Sequence, residues 1–245
     1  MMYYLSIVGK GCLKFYRYFF SIMLLSFFAS ITSITRAQTA EEILQKVRMK
    51  LEKVDDYEAK GKMKTNVVFI KAPIATVKVY YKKPDMLRII NENGISFIPK
   101  GSVNINLNNT FINIRQFDII DAGKDDSGLH MIKLLPKDDT ADIVLSTLYI
   151  DEKNMLVKKS KTTTKENGTY ELKMSYGKYS EYGLPDKIVF SFNIKDYKLP
   201  KGITLDYDDG MEKDREKLKN KKGTVEISYT EYRINKGIDN KVFTR

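Results

Sequence analysis

The feature that most constrains this chain is a change of hydrophobic period at Tyr57. Before it, Ile43, Leu44, Val47, Leu51 and Val54 recur at helical spacing. Thr39 and Glu42 stand three apart, the spacing of a capping box, so one amphipathic helix is predicted over 39–54. From Tyr57 the period is two. Tyr57, Ala59, Gly61, Met63, Val67 and Phe69 are set against Glu58, Lys60, Lys62, Lys64 and Asn66. Successive strand side chains point to opposite faces, so this run reads as a half-buried strand, apolar on one side and basic on the other.

The alternation returns in short runs at 74–82, 86–91, 95–98, 103–107, 110–115, 141–150, 156–164, 169–179, 187–194 and 225–234. Turn residues separate them, including Pro84-Asp85, Asn93-Gly94 and Asn167-Gly168. Residues 116–139 are less regular, with a polar loop over 121–128 and a short strand or helix over 129–135. Residues 206–222 form a charged excursion. Short connections make neighbours in sequence neighbours in a sheet. The expected fold is mainly β (α+β): an antiparallel sheet of about ten strands with the helix laid on its apolar face.

Lys10, Lys14 and Arg17 precede an apolar stretch from Tyr18 to Ile34, which ends in Thr35-Arg36-Ala37. That order predicts a secretory signal peptide over 1–37, cut after Ala37, and export to the periplasm. The competing reading is a retained anchor, although roughly 17 residues is short for a spanning helix. The single cysteine, Cys12, lies before the apolar stretch rather than just after it, where a bacterial lipoprotein carries its own. The 208 residues of 38–245 thus contain no thiol and suit one domain with an ordinary core. They keep 38 bases and 31 acids, a net charge of +7 that suits phospholipid headgroups or other acidic surfaces. The compartment argues against nucleic acid.

The groups that enzymes use are sparse. One histidine, His130, sits in the apolar context Leu129-His130-Met131-Ile132 and reads as structural. No cysteine–histidine pairing, nucleophile elbow or phosphate-binding glycine loop occurs in 38–245. The acids are scattered, so a paired-carboxylate hydrolase has no particular pair to point to. Asp206-Tyr207-Asp208-Asp209-Gly210 misses the ligand spacing of a calcium loop and reads as solvated. The reading is of a protein that is not an enzyme and takes no cofactor. Lys60, Lys62 and Lys64 share one strand face, as edge protection or as attraction to an anionic surface.

Tyr80-Tyr-Lys-Lys-Pro-Asp-Met-Leu-Arg88, the opening helix with Val54-Asp-Asp-Tyr57, the later meander and Leu199-Pro-Lys-Gly-Ile203 together resemble the periplasmic outer-membrane lipoprotein carrier (LolA-like) family. The resemblance covers most of 38–245. It implies an incomplete antiparallel β-barrel whose concave face is apolar, covered by helix, and shields acyl chains on the way to the outer membrane. It also implies an inner-membrane release complex, an outer-membrane acceptor and a monomeric carrier. Lys83 falls where the carriers have a basic residue before proline that is tied to cargo transfer. The chain departs from the family in having no tryptophan, and 206–245 extends beyond the part that matches.

On this reading the lipid-facing residues are Met63, Val67, Phe69, Leu87, Ile89, Phe97, Leu145, Leu172, Met174, Phe190 and Phe192. Ile43, Val47 and Leu51 belong to the lid. Burial of an acyl chain contributes roughly 0.8 kcal/mol per CH₂, and methionine suits chains of varied shape. The same residues could instead line a filled core, as in a periplasmic sensor or protein-interaction module on the same fold.

Overall fold

A computed structural model of the chain describes residues 38–66, 74–91, 96–97, 114–166, 168–193 and 222–244. The residues from Thr39 onward form one unit. Helix α1 spans Ala40–Leu51. Its capping box is present: Glu42 N–H donates to Thr39 Oγ1, and the Glu42 carboxylate accepts from Thr39 N–H. Glu41 and Glu42 in the first turn and Arg48 and Lys50 in the last complement the helix dipole. A twelve-residue helix is marginal alone, so its stability comes from the face formed by Ala40, Ile43, Leu44, Val47 and Leu51.

The strands are β1 (Asp56–Asn66), β2 (Ala75–Lys82), β3 (Met86–Asn91), β4 (Ser96–Phe97), β5 (Phe117–Lys124), β6 (His130–Pro136), β7 (Ile143–Asp151), β8 (Leu156–Thr164), β9 (Gly168–Ser175), β10 (Lys187–Asn193) and β11 (Lys222–Ile234). They form one antiparallel sheet in the order β4-β3-β2-β1-β11-β10-β9-β8-β7-β6-β5. Among the described residues the sheet is open, with β4 and β5 at its two edges, and is not closed into a barrel. The mainly β fold with a helix on the apolar face is therefore the one expected.

Two local outcomes differ from the sequence pattern. Residues 121–124, expected in a loop, continue β5 through a register shift between Asp121 and Lys124, where Gly123 has φ +71°. A positive φ is open to glycine at no steric cost, which lets the strand bulge and carry on. The other concerns the last strand. β11 is no appendage but lies at the centre, paired with β1 on one side and β10 on the other. The seam with β1 shifts register after Lys60, and at Gly61 an added Cβ would lie 2.7 Å from the Ser228 carbonyl oxygen. Only glycine fits that approach.

Following β11, the chain turns back and is tied to the start of β1. Asp56 accepts from the backbone N–H groups of Lys236 and Gly237, and Asn235 Oδ1 accepts from those of Asp55 and Asp56. Lys82 Nζ then donates to the Ile238 carbonyl at 2.8 Å, and Arg88 donates to the Val242 carbonyl. Lys82 and Arg88 point away from the helix-bearing face, so the C-terminal segment is held on the outside of β2 and β3.

Candidate functional site

Cross-strand register assembles one continuous inner face. Phe190 stands opposite Leu172 and Val225, and Ile188 opposite Met174 and Ile227. Leu148 lies between Ile132 and Ser160. On the other side of β11, Ile227 faces Met63, Tyr57 faces Tyr81, and Val79 lies between Ala59 and Ile89. Directly opposed residues share a face, so these side chains line the same surface.

The face carries two apolar clusters. The first places Ile43, Leu44, Val47 and Leu51 of α1 against Leu172, Met174, Phe190 and Phe192, with Ile132, Leu134, Leu148 and Ile150 beside them. Phe190 and Phe192 lie 5.3 Å apart between ring centroids, and Tyr170 lies 5.4 Å from Phe190. The second groups Tyr57, Ala59, Val77, Val79, Tyr81, Ile89, Leu184, Ile227 and Tyr232, with Met63 and Leu87 partly buried against it. Tyr229 touches both clusters. Its neighbour Tyr232 makes ring contacts with Tyr57, Tyr179 and Tyr229 at 4.9–5.4 Å and donates from its hydroxyl to the Pro185 carbonyl at 2.7 Å. Burial pushes the phenols of Tyr57, Tyr229 and Tyr232 up, so they stay neutral.

The expected lid residues Ile43, Val47 and Leu51 and the expected lipid-facing residues Leu172, Met174, Phe190 and Phe192 are thus brought together. Met63, Leu87 and Ile89 are on the same face in the second cluster. Phe97 pairs through its backbone with Ile89, and its side chain lies outside the described residues, as do Val67 and Phe69. Leu145 is a correction. It stands opposite Thr163 on the outer face, while Ser146 and Leu148 point inward. Both parities of β7 are apolar, and the register shift between Ile143 and Leu145 reverses the alternation that sequence alone suggests.

A stripe of hydroxyls interrupts the apolar face. Ser146, Ser160, Thr162 and Thr164 are all buried, and Ser146 Oγ and Thr162 Oγ1 lie 3.0 Å apart. Sequence reasoning missed this stripe, although the run Thr162-Thr163-Thr164 was its signal. It also missed the tyrosine cluster, which depends on β11 lying next to β1.

Helix α1 fills the space over the first cluster. A shallow gap beside it, lined by Val47, Leu51, Met155, Val157 and Tyr176, has room for about one water. The polar ties of α1 to the rest of the fold gather at its C-terminal end. Lys50 donates to the Asn154 carbonyl, and Lys83 Nζ donates to the Glu52 carbonyl and pairs with Asp55. Among the described residues the N-terminal half is held by its apolar side chains.

His130 is the other polar centre. Its Nδ1 lies 2.6 Å from Glu152 Oε1 and its Nε2 2.9 Å from Asp121 Oδ1, while Lys124 Nζ lies 2.6 Å from Glu152 Oε2. Both ring nitrogens are engaged by carboxylates, leaving none for a metal. The Gly123 backbone N–H and His130 hold the Asp121 carboxyl low, and Lys124 and His130 hold the Glu152 carboxyl low. Asp121 and Glu152 thus form one charged cluster around His130. It clamps β5, β6 and the end of β7 together.

No family model matches the chain, and no curated protein sequence matches it. Solved structures do. A LolA superfamily protein from Nitrosomonas europaea is similar with a TM-score of 0.53 and 13% identity, covering 85% of this chain and 99% of that one. A domain named for outer membrane lipoprotein sorting, from Vibrio parahaemolyticus, is similar with a TM-score of 0.52 and 10% identity over 83% of this chain and 95% of that one. A DUF1329 family protein from Desulfovibrio piger gives 0.52 and 11% over 84% and 98%. With the open sheet, helix α1 on its apolar face and β11 at its centre, this chain has the LolA-like fold.

Proposed function

We propose that this protein is an exported carrier that shields acyl chains of lipoproteins or phospholipid between helix α1 and the inner face of the sheet, without catalysing a reaction. The observation that carries the reading is the arrangement of α1. It covers the apolar face with four large side chains and, among the described residues, is tied by polar contacts at its C-terminal end. Burying those four side chains contributes about 6–12 kcal/mol, at roughly 1.5–3 each. A sixteen-carbon acyl chain at roughly 0.8 kcal/mol per CH₂ contributes about 12 kcal/mol on the same face. Helix and cargo are therefore near-equal occupants, and cargo displaces the helix about its C-terminal end. The domain from Vibrio parahaemolyticus is named for lipoprotein sorting, which supports the same class of cargo. A signal peptide over 1–37, periplasmic action, and a release complex and acceptor in the two membranes complete the reading. No helix among the described residues is long and apolar enough to cross a membrane.

The test is native mass spectrometry of the protein purified from the periplasm, followed by organic extraction. Carriage predicts bound phospholipid or acylated peptide near one per chain. A clean mass that stays clean after exposure to lipoprotein-loaded membranes contradicts it. One observation favours a second reading, a sensor or interaction module on the same fold: Leu172, Met174, Phe190 and Phe192 are each 5% exposed or less, a closed and filled interior. That reading predicts the clean mass together with a stable protein partner.

A further inference from the structure

The outer face of β5–β9 carries a feature that the carrier reading does not use. Two rows of side chains cross it. In one, Ile120, Lys133, Thr147, Lys161 and Glu171 stand opposite one another on successive strands. In the other, Met131, Tyr149, Lys159 and Lys173 do so. Strand spacing of about 4.8 Å places the four lysines within about 15 Å across the sheet. The one acid in these rows, Glu171, pairs with Lys173 at 3.2 Å. Among the described residues Lys133 and Lys161 are exposed and have no carboxylate partner. Lys159 Nζ stands 3.6 Å from the centre of the Tyr149 ring. At the sheet edge, Ile120 and Leu135 are 46% and 36% exposed on the same side.

The stripe at Lys60, Lys62 and Lys64 is a weaker candidate. Lys60 pairs with Glu231 at 3.5 Å, and Lys64 stands opposite Glu226. Acids therefore answer that stripe in register, whereas Lys133 and Lys161 have no carboxylate partner among the described residues.

We propose that this outer face docks the protein on an anionic phospholipid surface. Lysine stems lie along Met131 and Tyr149 while their ammonium groups reach lipid phosphates, and Ile120 and Leu135 enter the headgroup boundary. The lysine charge is spread over β6, β8 and β9, with the exposed Ile120 and Leu135 beside it. That suits a membrane surface better than an acidic protein, which needs a shaped, directional site. Docking this way turns the helix-bearing face away from the bilayer. It holds whether or not the inner face carries lipid.

The experiment is sedimentation of the purified protein, as the cell produces it, with vesicles of phosphatidylcholine alone and of phosphatidylcholine mixed with phosphatidylglycerol. Binding to the mixed vesicles alone, released by salt, is expected. Lys133→Gln with Lys161→Gln should lower that binding about 25-fold, at about fivefold per lysine. Ile120→Ser with Leu135→Ser should weaken it further, and Lys60→Gln with Lys62→Gln should leave it unchanged, all with unaltered thermal melting. Equal binding by the parent and the Lys133/Lys161 variant overturns the proposal. So does a lack of binding to the mixed vesicles, including the case in which the patch captures an acidic protein instead.

Discussion

Lys83 reaches back from the β2–β3 turn to the end of helix α1, where its Nζ donates to the Glu52 carbonyl at 2.7 Å and lies 2.9 Å from Asp55 Oδ1. Its own backbone N–H donates to the Asp55 carbonyl at 2.8 Å. The residue that family resemblance ties to cargo transfer is here a clasp at the C-terminal end of helix α1. The Asp55 side chain is 74% exposed, so the pair adds less than about 1 kcal/mol to stability. Lys83→Met should leave the melting temperature nearly unchanged and speed hydrogen exchange of the α1 amides. A direct role in handing on cargo predicts lost transfer with exchange unaltered.

Phe190 and Leu145 test the assignment of faces. Phe190 is buried under α1, and Leu145 lies on the outside of β7. Phe190→Ala should lower stability by about 3–5 kcal/mol, and Leu145→Ala by about 1 kcal/mol, in urea unfolding. Leu87 is only partly buried on the inner face, so Leu87→Glu should fold and lose bound lipid.

Gly183 packs closely against Leu51 at the end of helix α1. It has φ +65°, and an added Cβ would lie 2.8 Å from Leu51 Cδ2. Gly183→Ala combines a disfavoured backbone with an overpacked contact, and should destabilise by about 1–3 kcal/mol. Its effect should be concentrated at the C-terminal turn of α1, read as faster exchange there than in β9 or β10.

The clamp at His130 gives a pH dependence of known sign. The carboxyls of Asp121 and Glu152 are held below their usual range in the folded state. Their stabilising contribution is therefore present above the ordinary carboxylate range, about pH 4, and is lost as pH falls through the lower folded values. Thermal melting from neutral to acid pH should show this loss, and Asp121→Asn should reduce its steepness. His130→Ala should cost about 2 kcal/mol at neutral pH. Melting by Asp121→Asn that follows the parent at every pH counts against the clamp.

Much of this architecture was legible in the sequence, because the fold obeys local rules. Thr39 and Glu42 specified the helix start, and alternation with short turns specified β2, β3 and β8–β10. Legibility failed where long-range pairing decides. Nothing near Thr224 or Tyr232 signals that β11 will lie between β1 and β10, so the tyrosine cluster around Tyr232 could not be assembled. Leu145 was misplaced because β7 is apolar on both faces and a bulge chooses between them. His130 reads as structural from its apolar context, but its carboxylate partners are Asp121 on β5 and Glu152 in the turn after β7. No local pattern announces them.

The central claim is that α1 and an acyl chain compete for one apolar face. The most direct test is hydrogen exchange of α1 with and without a saturating acylated peptide. The account predicts that amides of 40–51 lose protection on binding while those of β9 and β10 keep theirs. Unchanged or increased protection of α1 in the bound protein would contradict it.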